Sequence, residues 1–138
     1  NKQILLGMKK RGFGAGKWNG FGGKLEENES NEVGAKRELL EESSIIANEL
    51  TRVGFLVFNM MDTNKLMKVH VYESWNYSGE PQESEEMRPR WFLESEIPFT
   101  QMWPDDIHWL PLVLEGNKIL GRFDYSDEDT IEDFTVRI

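Results

Sequence analysis

A chain of 138 residues with five tryptophans and no cysteine is long enough for one hydrophobic core and has neither a disulfide nor a thiolate metal site. A net charge of −9 makes it a poor partner for polymeric nucleic acid, and its longest apolar runs, such as Phe55 to Phe58, are far too short to span a bilayer. The charge is uneven, because the first 24 residues carry six Lys or Arg and no acid while the remainder carries ten bases against 25 acids. One domain over residues 1–138 is expected, acting as a monomer on small molecules. No signal peptide is visible, so the cytoplasm is the default compartment, with a nuclear or mitochondrial share left open.

A first strand is predicted near Gln3 to Met8. Seven of the twelve glycines then lie between Gly7 and Gly23, a loop of high backbone freedom. It is not a Walker A loop, because Arg11 stands where the first glycine belongs and Trp18 follows Lys17 in place of Ser or Thr. Nor is it a dinucleotide fingerprint, since Gly12 and Gly14 are followed by Lys17 where the third glycine is required. What remains is a substrate loop with three aromatic residues, Phe13, Trp18 and Phe21, which by themselves read as core more often than as a base platform, and an amide, Asn19, that both donates to and accepts from a base edge. Lys9, Lys10, Lys17 and Lys24 are candidates to meet polyphosphate oxygens, against the plainer reading of solvated lysines.

The next element is an acidic helix, capped by Ser30 or Asn31, with Val33, Ala35, Leu39 and Leu40 as its apolar side. At about 100° per residue, Glu38, Glu41 and Glu42 fall within roughly a third of its circumference. Glu38 and Glu42 form a like-charge pair at i,i+4 that destabilises an ordinary helix, so the alternative of a solvated acidic face is the weaker one. Crowded carboxylates have raised pKa values, and hard oxygen ligands suit Mg²⁺, with Mn²⁺ as the alternative. Arg37 is placed to hold one of them by a bidentate pair. Gly34 costs helix stability, and close approach of another backbone is expected there.

Further strands are predicted at Val53 to Phe58, Met67 to Trp75, Arg88 to Phe92 and Ile119 to Tyr125, with a last one near Phe134. Tyr77 to Gln82 and Asn117 read as turns, and Asp124 to Asp133 as solvated acidic surface. A second helix follows Trp103, which Pro111 should start or kink. His70, within an alternating strand pattern, reads as structural. Met102-Trp103-Pro104-Asp105-Asp106 has two readings: Pro and paired Asp complement a helix dipole, or a tryptophan stacks on a purine whose N–H groups the carboxylates read. In the second reading one of the two acids keeps a proton near neutral pH.

The order Gly23, five residues, Glu29, seven residues, then Arg37-Glu38-Leu39-Leu40-Glu41-Glu42-Ser43-Ser44-Ile45 resembles the signature box of the Nudix hydrolases, magnesium enzymes that cleave a diphosphate linked to another moiety. The resemblance implies that Glu38 and Glu42 ligate metal, that Glu41 supports them, and that the Gly22 carbonyl completes the shell. Glu42 is implied to help activate the attacking water. Ser44 departs from the pattern, since the box ends there in glycine, often at positive φ, and local strain is expected.

Leu5 to Lys24, Glu86-Met87-Arg88-Pro89-x-Trp91-Phe92 and Ile97-Pro98-Phe99 through Asp106 are similar to the animal members of this family that hydrolyse oxidised purine nucleoside triphosphates. That similarity implies an α/β fold with a mixed β-sheet core in an α/β/α sandwich. It implies conversion of 8-oxo-dGTP, 2-hydroxy-dATP and related damaged or methylated purines to the monophosphate and pyrophosphate, cleansing the nucleotide pool. Asn19, Asp105 and Asp106 are implied to recognise the base, and Phe13, Phe58, Met60, Met67, Trp103 and Pro104 to form its walls. Lys9 and Phe21, Gly22, Gly23 and Lys24 line the nucleotide site, and Glu86 is a further metal-side carboxylate. Those relatives carry an additional strand before the position of Lys2, so a chain starting at Asn1 is expected to be a fragment with one sheet edge open. The other readings are a Nudix activity on undamaged nucleotides, dinucleoside polyphosphates or ADP-ribose, and a non-catalytic nucleotide-binding module.

Overall fold

A computed structural model describes residues 2–138, so the expectation attached to Asn1 lies outside the described residues. The elements run β1 (Gln3–Lys9), β2 (Trp18–Asn19), α1 (Asn31–Ser43), β3 (Ile46–Ala47), β4 (Thr51–Met60), β5 (Lys65–Glu73), β6 (Tyr77–Ser78), β7 (Met87–Leu93), α2 (Asp106–Leu114), β8 (Ile119–Asp127) and β9 (Thr130–Arg137). Two single 3₁₀ turns, Glu94–Glu96 and Phe99–Gln101, precede α2. The chain divides into two compact units, Asn1–Leu50 with Ser74–Met102, and Thr51–Glu73 with Trp103–Ile138. No helix among the described residues is long and apolar enough to cross a membrane.

In the first unit β1 is central to a three-stranded sheet of order β2-β1-β7, antiparallel throughout. Leu6, Trp18, Met87 and Phe92 are buried there, and the Trp18 ring meets Phe92 edge-on at 4.9 Å. Trp18, which the sequence groups with the loop aromatics, is therefore a core residue. β3 and β6 form a two-residue antiparallel ladder, which corrects the expectation of a turn beginning at Tyr77. Two residues are too few for any periodic signal, and the ladder is set by the segments on either side.

Helix α1 begins where Ser30 Oγ accepts from the Val33 N–H at 3.2 Å, the expected cap. Its buried side is not the expected one. Val33 and Leu40 remain exposed, whereas Gly34, Glu42 and Ser43 are buried. A helix this poor in apolar residues is held by polar ties in place of an apolar stripe, and those ties orient its acidic face inward. The close approach at Gly34 comes from the Leu25 and Glu29 side chains, not from another backbone. At the far end Ser43 Oγ donates to the Leu39 carbonyl at 2.7 Å, and Ser44 closes the helix at φ 66°, ψ 14° with its N–H on the Leu40 carbonyl at 2.9 Å.

The left-handed conformation at Ser44 is the strain that the departure from glycine implies. Ser44 is exposed, so Ser44→Gly keeps the cap bond and sacrifices no packing. Relief of the left-handed penalty, offset by the larger unfolded-state entropy of glycine, should add about 0.5–1 kcal/mol. A thermal melt should show a midpoint roughly 1–4 °C higher. A midpoint at or below that of the parent would mean that the local backbone is not strained.

The second unit is a mixed sheet of order β5-β4-β8-β9, in which β4 and β8 run parallel and the other pairs antiparallel. Leu56, Met60, Ile119, Phe123 and Tyr125 of its inner face are buried. Phe123 stacks on Phe134 of β9 at 5.5 Å, and His108 of α2 lies 4.2 Å from the Phe134 ring, which seats the helix on the hairpin. The stretch Asp124 to Asp133 is thus most of an ordered hairpin, with its turn residues exposed and Tyr125 fully buried. His70 packs on Phe55 at 4.9 Å, as a structural residue should.

Pro111 lies inside α2, neither starting nor breaking it. A helix-interior proline costs about 3 kcal/mol locally. Here burial of Trp109, Leu110 and Val113 on one side offsets that cost, and the carbonyl that loses its partner belongs to exposed Ile107. Tertiary burial outweighs the local rule.

Candidate active site

In the first unit a concavity of about 580 Å³ is lined by Lys9, Arg11, Gly22, Gly23, Glu38, Glu41, Glu42, Ser84, Glu85 and Glu86. It draws on the end of β1, the Gly-rich segment, the inward face of α1 and the segment ahead of β7. Seven of these ten residues are among those singled out from the sequence; Arg11, Ser84 and Glu85 are added by the structure.

Each carboxylate has its own environment. Arg37 is the organiser, half-buried at 20% side-chain exposure, with Nε and Nη2 forked on Glu29 at 2.7 and 3.0 Å and Nη1 on Glu38 and, at 3.1 Å, on Glu41. Nη2 also donates to the Lys24 carbonyl at 3.1 Å, which fastens the Gly-rich segment to the helix. With Glu26 also 3.3 Å from its Nε, Arg37 thus faces four carboxylates where the sequence suggests one, and its hydrogen bond keeps the Glu29 carboxyl below the usual range. Gly23 stands so close to Glu38 that any Cβ there would displace its carboxylate.

Glu42 differs from the others in being only 6% exposed. Burial, reinforced by the charges of Glu38 and Glu86, pushes its carboxyl up to about 7, against the opposing hydrogen bond from the Gly22 N–H at 3.0 Å. Glu86, on the opposite wall, accepts from Arg11 Nε at 2.8 Å and lies 3.6 Å from Lys9 Nζ; the Arg11 bond holds it below the usual range. Ser84 Oγ donates to the Glu42 carbonyl at 3.0 Å and so joins the two walls.

With Glu38 and Glu41 on Arg37 and Glu86 on Arg11 and Lys9, no three acidic or imidazole side chains among the described residues converge at metal-ligand spacing. The donor set nevertheless fits a hard divalent cation. It is all oxygen, and five carboxylates face only two cations across the concavity.

The remaining singled-out residues of the first unit lie off this concavity. Phe21 sits against Gly7, where a Cβ would come within 2.8 Å of its ring. Phe13 is 57% exposed, and the Asn19 side chain accepts from the adjacent Gly20 N–H at 2.8 Å.

In the second unit the residues implied to meet a base gather around Tyr125. Its ring lies 6.2 Å from Phe58 and 5.9 Å, edge-on, from Trp103, and its hydroxyl donates to Asp105 Oδ1 at 2.5 Å. Met67 is opposite Phe58 in the β4–β5 register, Met60 is buried, and Pro104 is half-buried. Asp105 Oδ2 accepts from Trp109 Nε1 at 2.7 Å, and the Asp105 N–H donates to the Tyr125 oxygen at 3.0 Å.

Asp105 occupies the cap position of α2 without a side-chain cap hydrogen bond, and Asp106 is the acid of the first turn, as the helix-dipole reading expects. Burial raises both carboxyls, and Asp106 is raised further by the charge of Asp105 and by their mutual hydrogen bond. Asp106 is therefore the more strongly raised of the two, and its Oδ2 is buried without a hydrogen-bond partner. Tyr125 and Trp109, which hold this pair, carry no motif in the sequence; only the packing of β8 and α2 reveals them.

The NUDIX domain family matches residues 1–113, and the chain belongs to that family. The mixed α/β architecture expected from the sequence is the one observed. The chain is 52% identical to the oxidized purine nucleoside triphosphate hydrolase of Mus musculus over 136 residues, 99% of this chain and 87% of that protein. It is 53% identical to the protein of the same name from Danio rerio over 129 residues, 94% of this chain and 83% of that one. Among solved structures, a mutator MutT protein from Bacillus halodurans superposes with a TM-score of 0.86 at 25% identity, covering 97% of this chain and 89% of that one. Nudix hydrolases in general need a divalent metal.

Proposed function

We propose that this chain hydrolyses oxidised purine nucleoside triphosphates, 8-oxo-dGTP and 2-hydroxy-dATP among them, to the nucleoside monophosphate and pyrophosphate. The observation that carries the reaction type is Glu42, a buried carboxyl poised at about 7 beside Glu38, Glu41, Glu86 and Lys9 in one concavity. The substrate class rests on the names of the mouse and zebrafish relatives, each more than half identical to this chain.

Glu38, Glu41, Glu42 and Glu86, with the Gly22 carbonyl, would hold Mg²⁺ or, as the alternative, Mn²⁺. Such an ion supplies Lewis-acid polarisation of the phosphoryl oxygens and a more acidic water. Glu42, deprotonated, takes a proton from the attacking water; the water oxygen bonds to phosphorus, and the anhydride oxygen leaves with the pyrophosphate. Arg37 keeps Glu38 and Glu41 facing the concavity, and Lys9 offsets charge on the phosphates. Within the second unit Trp103, Phe58, Met60, Met67 and Pro104 are the apolar residues suited to a purine, and within the first unit Phe13 and Asn19 are the candidates for a base contact. Phe21, Gly23 and Lys24 line the nucleotide site, and Asp105 and Asp106 read the purine as acceptor and donor. Residues 1–138 then act as one catalytic domain, a cytoplasmic monomer on small-molecule substrates.

Adding Mg²⁺ to protein and 8-oxo-dGTP should release one pyrophosphate per nucleotide, and chelation should stop it. Nucleotide binding without any metal-dependent pyrophosphate release would instead identify a binding module.

A further inference from the structure

Lys9 is the last residue of β1, Lys10 comes next and Arg11 stands in the bend that follows, and it is Lys9 and Arg11 that face the same space. Both line the concavity. Lys10 does not; it is tied to Glu83 and donates to the Ser84 carbonyl at 2.9 Å. The two cations of the concavity share one carboxylate: Glu86 takes Arg11 Nε at 2.8 Å and Lys9 Nζ at 3.6 Å, and Arg11 Nη2 reaches Glu85 at 3.2 Å. Arg11 and Glu85 are 60% and 86% exposed, so these pairs are wet and easily exchanged. A guanidinium fork matches two phosphate oxygens as well as it matches a carboxylate, and a chain of phosphates entering a concavity with five carboxylates needs every available cation.

We propose that Arg11 binds the terminal phosphates of the triphosphate by exchanging them for Glu86, so that nucleotide binding frees Glu86 to face the divalent cation. The exchange rests on the hydrolase reading above and adds a residue and an order of events to it. Arg11 serves in the resting protein as the counter-ion that keeps Glu86 out of the metal set. In the loaded protein it becomes a ligand for the leaving pyrophosphate, and Lys9 stays beside it.

The test is calorimetric titration of the whole chain and of its Arg11→Ala and Arg11→Lys variants with Mn²⁺ alone, with inorganic pyrophosphate in saturating Mn²⁺, and with dGMP. Arg11→Ala should bind Mn²⁺ about 3-fold or more tightly than wild type, because Glu86 loses its main competitor. The same variant should bind pyrophosphate at least ~10-fold more weakly, the scale of a lost charge-assisted hydrogen bond, and dGMP within about 2-fold of wild type. Arg11→Lys should recover part of the pyrophosphate affinity. A merely structural role would weaken Mn²⁺ and pyrophosphate together. Unchanged pyrophosphate affinity in Arg11→Ala, or Mn²⁺ affinity that falls, overturns the exchange while leaving the hydrolase reading intact. A wild-type chain that releases no pyrophosphate from any nucleoside triphosphate overturns both.

Discussion

The Glu42→Gln protein is expected to release pyrophosphate from 8-oxo-dGTP at least ~10²-fold more slowly than wild type, the usual scale for a lost general base. Glutamine keeps the volume of a side chain that is only 6% exposed, and its amide oxygen still accepts the Gly22 N–H, so the fold around the end of α1 should survive. What disappears is the negative charge and the proton acceptor. A control is available outside the concavity. Glu94 is exposed in the 3₁₀ turn Glu94–Glu96, and Glu94→Gln should stay within a few-fold of wild type. If Glu42→Gln also stays within a few-fold, its place in the mechanism is wrong.

Asp105→Asn and Asp106→Asn should change the ratio of 8-oxo-dGTP to 2-hydroxy-dATP turnover, unequally, while Mg²⁺ dependence persists. Asp105 accepts from Trp109 Nε1 on one oxygen and from the Tyr125 hydroxyl on the other, whereas an amide offers a single acceptor oxygen. Its replacement should therefore also destabilise the fold. The Asp106 carboxyl is the more strongly raised of the two, and asparagine imitates its protonated form but cannot ionise.

A pH series separates the two. Because the Asp106 carboxyl is raised well above its ordinary value by burial and by Asp105, the native protein holds a proton that the unfolded chain has released. That contribution to stability is complete below the unfolded carboxyl value of roughly 3.9 and is lost as pH rises through the native value. Asp106→Asn avoids the loss, so its melting temperature should match wild type at acid pH and exceed it increasingly as pH rises. Variants that keep the wild-type substrate ratio and differ only in stability would make the pair a purely structural lock on Tyr125 and Trp109.

Strongly patterned parts of this chain are legible in its sequence. The box from Gly23 to Ile45 points to the helix, to a cap at Ser30 or Asn31, of which the structure uses Ser30, and to the left-handed residue Ser44, because each depends on a handful of adjacent residues. The long strands were found for the same reason, each within a few residues of its observed ends. What failed depended on burial. Pro111 is tolerated inside α2 because its neighbours are buried, and the acidic face of α1 turns inward because Arg37 reaches several partners at once. The second cation of the concavity, Arg11, and the hub residue Tyr125 have no local signature. They acquire their roles from residues 75 and 20 positions away along the chain.

The central claim is tested most directly by offering the protein equimolar 8-oxo-dGTP, 2-hydroxy-dATP, dGTP and ADP-ribose with Mg²⁺ and resolving the products. The expected result is pyrophosphate with the two oxidised purine monophosphates, formed well ahead of any product from dGTP or ADP-ribose. Faster turnover of dGTP or ADP-ribose would contradict the assignment to damaged purines and leave a Nudix hydrolase of another specificity.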